Sequence, residues 1–276
     1  MQTTARQPIL GSTTMQSLLN RVPEVTLIFW MIKILSTTVG ETAADFLAVT
    51  LNFGLVGTSV VMGILLIVAL ANQLRLKRYV PASYWTVVVL TSIVGTLVTD
   101  YLVDDLGISL MTTTVVFSGI LLAIFVVWYA KERTLAMHSV NTLPREAFYW
   151  AAILFTFALG TASGDLIAES LGLGYALSLA IFAGLIALIA VAHFGFKLNG
   201  VLAFWLAFIL TRPLGASTGD LLSQPVADGG LGLGTVGTSV IFLAVIVSLV
   251  SFITVRQNRE RRTVASAQPT PVTESA

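Results

Sequence analysis

Two carboxylates stand one helical turn apart at the end of an apolar stretch. In WMIKILSTTVGETAAD, residues 30–45, they are Glu41 and Asp45. At that spacing both project from one face of a helix. Carboxylates inside an apolar segment are costly, and their uses there are few: holding a cation, relaying a proton, pairing with a buried base, or capping backbone at a water interface. The stretch recurs as WTVVVLTSIVGTLVTD from Trp85, WAAILFTFALGTASGD from Trp150 and WLAFILTRPLGASTGD from Trp205. Each copy has Trp, then Ser or Thr six residues on, Gly at ten and Asp at fifteen. The quartets are Trp30, Trp85, Trp150 and Trp205; Ser36, Thr91, Thr156 and Thr211; Gly40, Gly95, Gly160 and Gly215; and Asp45, Asp100, Asp165 and Asp220.

Positions eleven, fifteen and nineteen after each Trp lie near one helix face. They read Glu41–Asp45–Val49, Thr96–Asp100–Asp104, Thr161–Asp165–Glu169 and Ala216–Asp220–Gln224. Glu41, Asp45, Asp100, Asp165, Asp220, Asp104 and Glu169 are therefore the candidate cation-binding residues. One reading makes the Asp quartet a set of interface caps; another makes it an acidic ring or vestibule that attracts cations. Proton relay and helix-to-helix hydrogen bonding are further uses. Apolar residues continue past Asp45 (FLAVTL) and Asp165 (LIAESL), which places these two about a turn inside the boundary. The chain has no cysteine, so thiolate metal sites, disulfides and cysteine nucleophiles are excluded. The two histidines, His138 and His193, lie away from the acids. Carboxylate and hydroxyl oxygens suit hard or borderline ions such as Mg²⁺ or Mn²⁺ better than Cu or Zn. The sequence assigns no particular metal, and no cofactor is expected.

These residues must be positioned by membrane spans. Of 276 residues 56% are hydrophobic and 11% charged, against about 25% charged in a soluble domain. A span needs about 20 apolar residues, and eight such runs fall near 24–48, 54–74, 82–105, 108–130, 146–170, 174–195, 199–223 and 233–255. Residues 1–23 are expected to be a polar tail with no signal peptide, and 256–276 a disordered tail. The tails and the connections after even-numbered spans carry Arg6, Arg21, Arg75, Lys77, Arg78, Lys131, Arg133, Arg145, Lys197, Arg256, Arg259, Arg261 and Arg262. The connections after odd-numbered spans carry neither Lys nor Arg. The positive-inside rule then puts both termini in the cytoplasm and the acids at the outer end. The net charge of +1 says nothing about nucleic acid, and with no basic or aromatic nucleic-acid motif no such partner is expected. The lipid bilayer and a small cation are the expected partners.

The fold expected is an all-α integral membrane protein: eight transmembrane helices in four parallel two-helix repeats, near 24–79, 80–143, 144–198 and 199–255. Ser/Thr and Gly four residues apart give each odd span a small face for close helix packing. The Trp quartet lies about 22 Å from the Asp level, where aromatic belts belong, and is read as interfacial anchors, as is Trp128. Departures from the repeat are Lys33, Glu41 and Arg212, charged where other copies are neutral. Glu41 and Arg212 are expected to pair between spans 1 and 7, and Pro213 to bend span 7. A site using Ser/Thr and Asp of one span would need an unwound turn, for which Gly164–Asp165 and Gly219–Asp220 leave room.

The fourfold Trp–Gly–Asp spacing resembles a family of bacterial membrane proteins of unknown function, built from four tandem copies of a two-span repeat marked by a tryptophan. Trp30, Trp85, Trp150 and Trp205 match the marker position. The resemblance implies the eight-span architecture and a bacterial inner membrane, and supplies no activity. From the residues themselves the leading expectation is a transporter or channel for a small cation with an acidic outer vestibule. The alternative is a membrane scaffold, sensor or regulator. An intramembrane enzyme is less favoured, because there is no H-E-x-x-H, no G-x-S-x-G and no histidine near the acids.

Overall fold

The structure is a computed structural model and describes residues 20–266. It is all-helical, with eight helices long and apolar enough to cross a membrane among the described residues. They are α1 (Leu27–Asp45), α2 (Gly54–Arg75), α3 (Pro81–Asp100), α4 (Leu110–Glu132), α5 (Leu143–Asp165), α6 (Gly174–Phe196), α7 (Gly200–Ser223) and α8 (Gly234–Ser266). The helix starts follow local chemistry. Thr26 accepts a hydrogen bond from the Phe29 N–H, Ser109 from Thr112, and Asn199 from Val201 and Leu202; α3 and α5 carry proline in the first turn, where no N–H is missed.

The odd helices end unusually. In α1, α3 and α5 the Asp of the repeat is the last α-helical residue, and one π-helical turn follows: Phe46–Thr50, Tyr101–Asp105 and Leu166–Ser170. No unwound turn separates Gly164 from Asp165 or Gly219 from Asp220, and α7 runs unbroken through Pro213. After each π turn the chain reverses through a left-handed residue, Asn52 (φ 57°), Gly107 (φ 67°) or Gly172 (φ 66°), a conformation that Gly and Asn adopt at little cost.

The repeat glycines show how the bundle closes. A methyl group on Gly40 would strike Ser92; on Gly95, Phe157; on Gly160, Arg212; and on Gly215, Thr37. Each glycine thus faces the residue seven places after the Trp of the next odd helix, and the fourth faces the first. α1, α3, α5 and α7 form a closed inner ring held by the small-residue faces expected of lipid-embedded helices. The even helices lie outside, each against the odd helix of the following repeat: α2 on α3, α4 on α5, α6 on α7, and α8 on α1. A two-helix repeat is therefore a unit of sequence whose outer helix packs mainly on its neighbour. In the odd spans 61, 56, 61 and 56% of the most apolar stretch is buried in the bundle, against 17, 17, 11 and 11% in the even spans. The even spans are also the more apolar, as a lipid-facing layer requires.

Three expectations are corrected. Four tryptophans are core residues and not interfacial anchors: Trp85, Trp150, Trp205 and Trp128 are 2, 4, 4 and 0% exposed, while Trp30 is only half-buried. Their rings interlock, with centroids 5.3 Å apart for Tyr84–Trp150, 6.1 Å for Tyr149–Trp205 and 5.8 Å for Trp128–Trp205. The indole of Trp205 donates to the Leu135 carbonyl at 2.9 Å, so for this ring the protein supplies the polar partner that an interface would. The second correction concerns the C-terminus, where helix continues through residues 256–266 instead of becoming a disordered tail at 256. Third, the presumed N-terminal tail is packed over its last residues: Val22 is 2% exposed, and the Asn20 carbonyl and Arg21 N–H bond to Tyr79 and Val140. The remainder of both expected tails, 1–19 and 267–276, lies outside the described residues.

Candidate functional site

Counted from each Trp, residues at −1, +3, +7, +11 and +15 form a single i, i+4 row on every odd helix, and the four rows face one another across the ring. The −1 layer is aromatic: Phe29, Tyr84, Tyr149 and Phe204. The Tyr84 and Tyr149 hydroxyls are hydrogen-bonded to each other, and the Phe29 and Phe204 rings lie 6.1 Å apart. In the +3 layer Lys33, Val88, Ile153 and Phe208 are all buried. The Lys33 ammonium donates to the Phe208 carbonyl at 3.0 Å and lies 4.3 Å from the Phe208 ring and 4.8 Å from that of Phe157. It thus finds a carbonyl and two π faces in place of a carboxylate.

The +7 layer supplies Arg212, fully buried, whose guanidinium reaches up into the +11 layer. Nη2 donates to Glu41 Oε2 at 2.8 Å, to Thr161 Oγ1 at 2.7 Å and to Thr96 Oγ1; Nη1 donates to the Thr37 carbonyl at 3.2 Å. The structure therefore joins Glu41 and Arg212, and it adds threonines from two further helices. One arginine ties all four odd helices together.

One turn further, Asp45, Asp100, Asp165 and Asp220 enter a single cavity of about 210 Å³, together with Glu41, Asp104, Glu169, Thr99 and Gln224. All seven candidate carboxylates thus meet in one place. None of the four Asp side chains has a hydrogen bond or ion pair among the described residues, although Asp220 is only 8% exposed. No capping bond is made at Asp45, Asp100 or Asp165, so the capping reading fails for these three. The odd helices all point their C-terminal ends here, where helix dipoles add partial negative charge. Among the described residues no group of three His, Asp or Glu side chains is placed to hold a metal ion. The cavity is lined by carboxyl groups without being a ready-made chelate.

A larger cavity of about 590 Å³ lies at the opposite, basic end, beside Glu24, Met137, His138, Asn199 and Phe204. It uses none of the repeat quartets. The His193 ring bonds to the Leu198 carbonyl at 2.8 Å, just beyond the end of its helix.

The repeat architecture is also recognised at family level. A family described as a repeat of unknown function, DUF347, matches residues 28–79, 83–134, 148–198 and 203–259. The chain belongs to this family. Each DUF347 match takes in one odd and one even helix, with the Trp near its start and the Asp about a third of the way along. No curated protein and no solved structure matches the chain.

The sequence pattern alone did not single out Tyr84, Tyr149, Phe29 and Phe204 at −1, nor Thr37, Ser92 and Phe157 at +7. The signal was present, because −1, +3 and +7 continue the same four-residue row as the acidic stripe. Thr96 and Thr161 were placed in the stripe but not recognised as ligands of Arg212.

Proposed function

We propose that the protein carries a small cation across the membrane and that the acidic cavity is the mouth through which the ion passes. The observation that supports this best is the convergence of four unpartnered aspartates, one from each repeat, on one cavity. Carboxylates at helix C-termini, without donors to satisfy them, are unfavourable for folding and favourable for a cation. The positive-inside rule puts this mouth on the outer side, and the interlocked aromatic layer at −1 closes the path at the basic end. Because no chelating cluster is preformed, the cavity suits an ion that keeps part of its water shell, which Mg²⁺ and its analogues do readily. A hard divalent ion such as Mn²⁺ or Mg²⁺ is therefore the first substrate to try. Lys33 and Arg212 below the cavity limit leakage, since an ion cannot pass these two buried side chains without their moving.

The test is flux into liposomes. Purified protein reconstituted with an entrapped indicator should move at least one of Mn²⁺, Mg²⁺, Na⁺, K⁺ or H⁺ faster than protein-free liposomes, and Asp100→Asn with Asp220→Asn should abolish the difference. If no ion moves faster than the background, the transport reading is wrong and a scaffold, sensor or regulator takes its place.

A further inference from the structure

Arg212 does not fit its surroundings well. Its Nη2 carries two hydrogens, yet three oxygens crowd it: Glu41 Oε2 at 2.8 Å, Thr161 Oγ1 at 2.7 Å and Thr96 Oγ1. The Thr37 carbonyl stands 3.2 Å from the neighbouring Nη1, while Nε, equally buried, has no acceptor. A guanidinium is best met by a planar fork of acceptors that uses its donors in pairs. Here the acceptors are gathered around one nitrogen, as they would be around a compact ion. The donors are all oxygens, from three inner helices, and their sum of charge is minus one.

The surroundings also permit the arginine to leave. Its stem crosses Gly160, where even a methyl group would collide with Cβ and Cγ. Pro213 follows directly and deprives the Ile209 carbonyl of its helical N–H, so α7 bends here more readily than elsewhere. One turn beyond lies the aspartate cavity, which leads to the cage without another side-chain layer between them.

We infer that Glu41, Thr96, Thr161 and the Thr37 carbonyl form a binding site for a compact, singly charged cation, and that Arg212 is a tethered occupant which such a cation replaces. This rests on reading the acidic cavity as the ion's entry. The tether explains how the site stays filled between cycles: an attached guanidinium competes at an effective concentration that free ions rarely match. It also gives a coupling rule, since the site holds either Arg212 or the ion. A divalent ion would bring one charge more than the cage neutralises and would have to draw on the aspartate layer.

The test requires no transport. Arg212→Ala opens the cage, and thermal unfolding of the purified protein in detergent is followed against millimolar NH₄Cl, KCl, guanidinium chloride, MgCl₂ or MnCl₂, with choline chloride at matched ionic strength as reference. A ligand that binds only the folded state raises the midpoint saturably. The expected result is a rise of several degrees for ammonium or potassium, larger than any for guanidinium, abolished in Arg212→Ala with Glu41→Gln and needing higher concentrations in the parent, where Arg212 competes. No saturable rise, or the same rise in the double variant, overturns the site; a larger rise with Mg²⁺ or Mn²⁺ overturns its single charge. Arg212→Met keeps the stem against Gly160 and is measured in the same way should the Ala variant fail to fold. Flux decides the transport reading separately, so binding without flux would leave the cage standing and remove the carrier.

Discussion

Glu146 and Asp220 are buried carboxylates on two inner helices, at opposite ends of the bundle, and the protein treats them in opposite ways. Glu146 is 0% exposed and saturated: Arg21 Nη1 donates at 2.7 Å, Gln73 Nε2 at 3.1 Å and the Trp150 indole at 3.5 Å. It sits in the first turn of α5, where the helix dipole favours a negative charge. Asp220 is 8% exposed, sits in the last turn of α7 where the dipole opposes it, and has no partner among the described residues. One carboxylate fastens the N-terminal segment, α2 and α5 together. The other stores unfavourable electrostatics that a bound cation would relieve. Burial alone does not tell a carboxylate that fastens the fold from one that strains it, but satisfaction does.

The comparison is most severely tested where an acid of the cavity is itself saturated. Glu41 lines the cavity yet is bound to Arg212, so it should behave like Glu146 and not like Asp220. Arg212→Gln leaves Glu41 buried beside two threonine hydroxyls without its charged partner, and should lower stability by about 3–5 kcal/mol. Glu41→Gln should be similarly damaging, with the double variant recovering much of the sum. Thermal and denaturant unfolding in detergent measure all three; strictly additive losses would show that the pair is not coupled.

Gly95→Leu should come next, at about 1–3 kcal/mol or more, because its new side chain meets the Phe157 Cβ and the Ala158 backbone. Gly119→Leu is the internal control, since nothing lies within 4 Å of that glycine. Equal accumulation of the two variants in membranes would remove the closed inner ring.

A loss of similar size is expected at Glu146 itself. Glu146→Gln retains an acceptor for Gln73 or Trp150 and loses the charge that holds Arg21, whose side chain is 14% exposed and can reach water. A loss of about 1.5–3 kcal/mol follows from one charge-assisted bond, and Arg21→Ala should reproduce most of it. Protease sensitivity near Asn20 would rise in both, and an unchanged cleavage pattern would show that Glu146 does not hold the segment.

Much of this was legible in the sequence, and the failures have physical causes. Trp, Gly and Asp recur at fixed spacing because four helices share one packing geometry, so architecture and the acidic cavity could be read directly. Tryptophan position within a span reports depth but not which way the ring points; Trp85 and Trp150 sit at anchor depth and face inward. Adjacency was hidden for a related reason. A hairpin fixes which helices are joined, whereas side-chain fit decides which ones pack, and α8 closing on α1 is invisible until the ring exists. Glu41 and Arg212 were expected to meet because unlike charges in lipid seek each other. Thr96 and Thr161 escaped notice as their ligands, because a threonine in a span normally bonds its own helix, as both also do here.

The smallest expected effect on stability carries the largest consequence for function. Asp45→Asn, Asp100→Asn, Asp165→Asn and Asp220→Asn keep the side-chain volume and remove a charge that nothing in the protein pairs. Each removal also relieves repulsion from a helix C-terminus, worth about 0.3–1 kcal/mol at such sites. The variants should therefore unfold at the same temperature as the parent or slightly above it, the reverse of Glu146→Gln. Ion flux should move the other way, falling with each substitution and most steeply when two opposite members of the ring, Asp45 and Asp165, are changed together. Stability and flux are read on the same preparations, so a folding defect cannot pass for a transport defect. A destabilised Asp220→Asn would mean that the carboxylate is satisfied after all. Parent-like flux in all four would mean that the cavity's charge serves no ion, and the contrast with Glu146 would then be one of position alone.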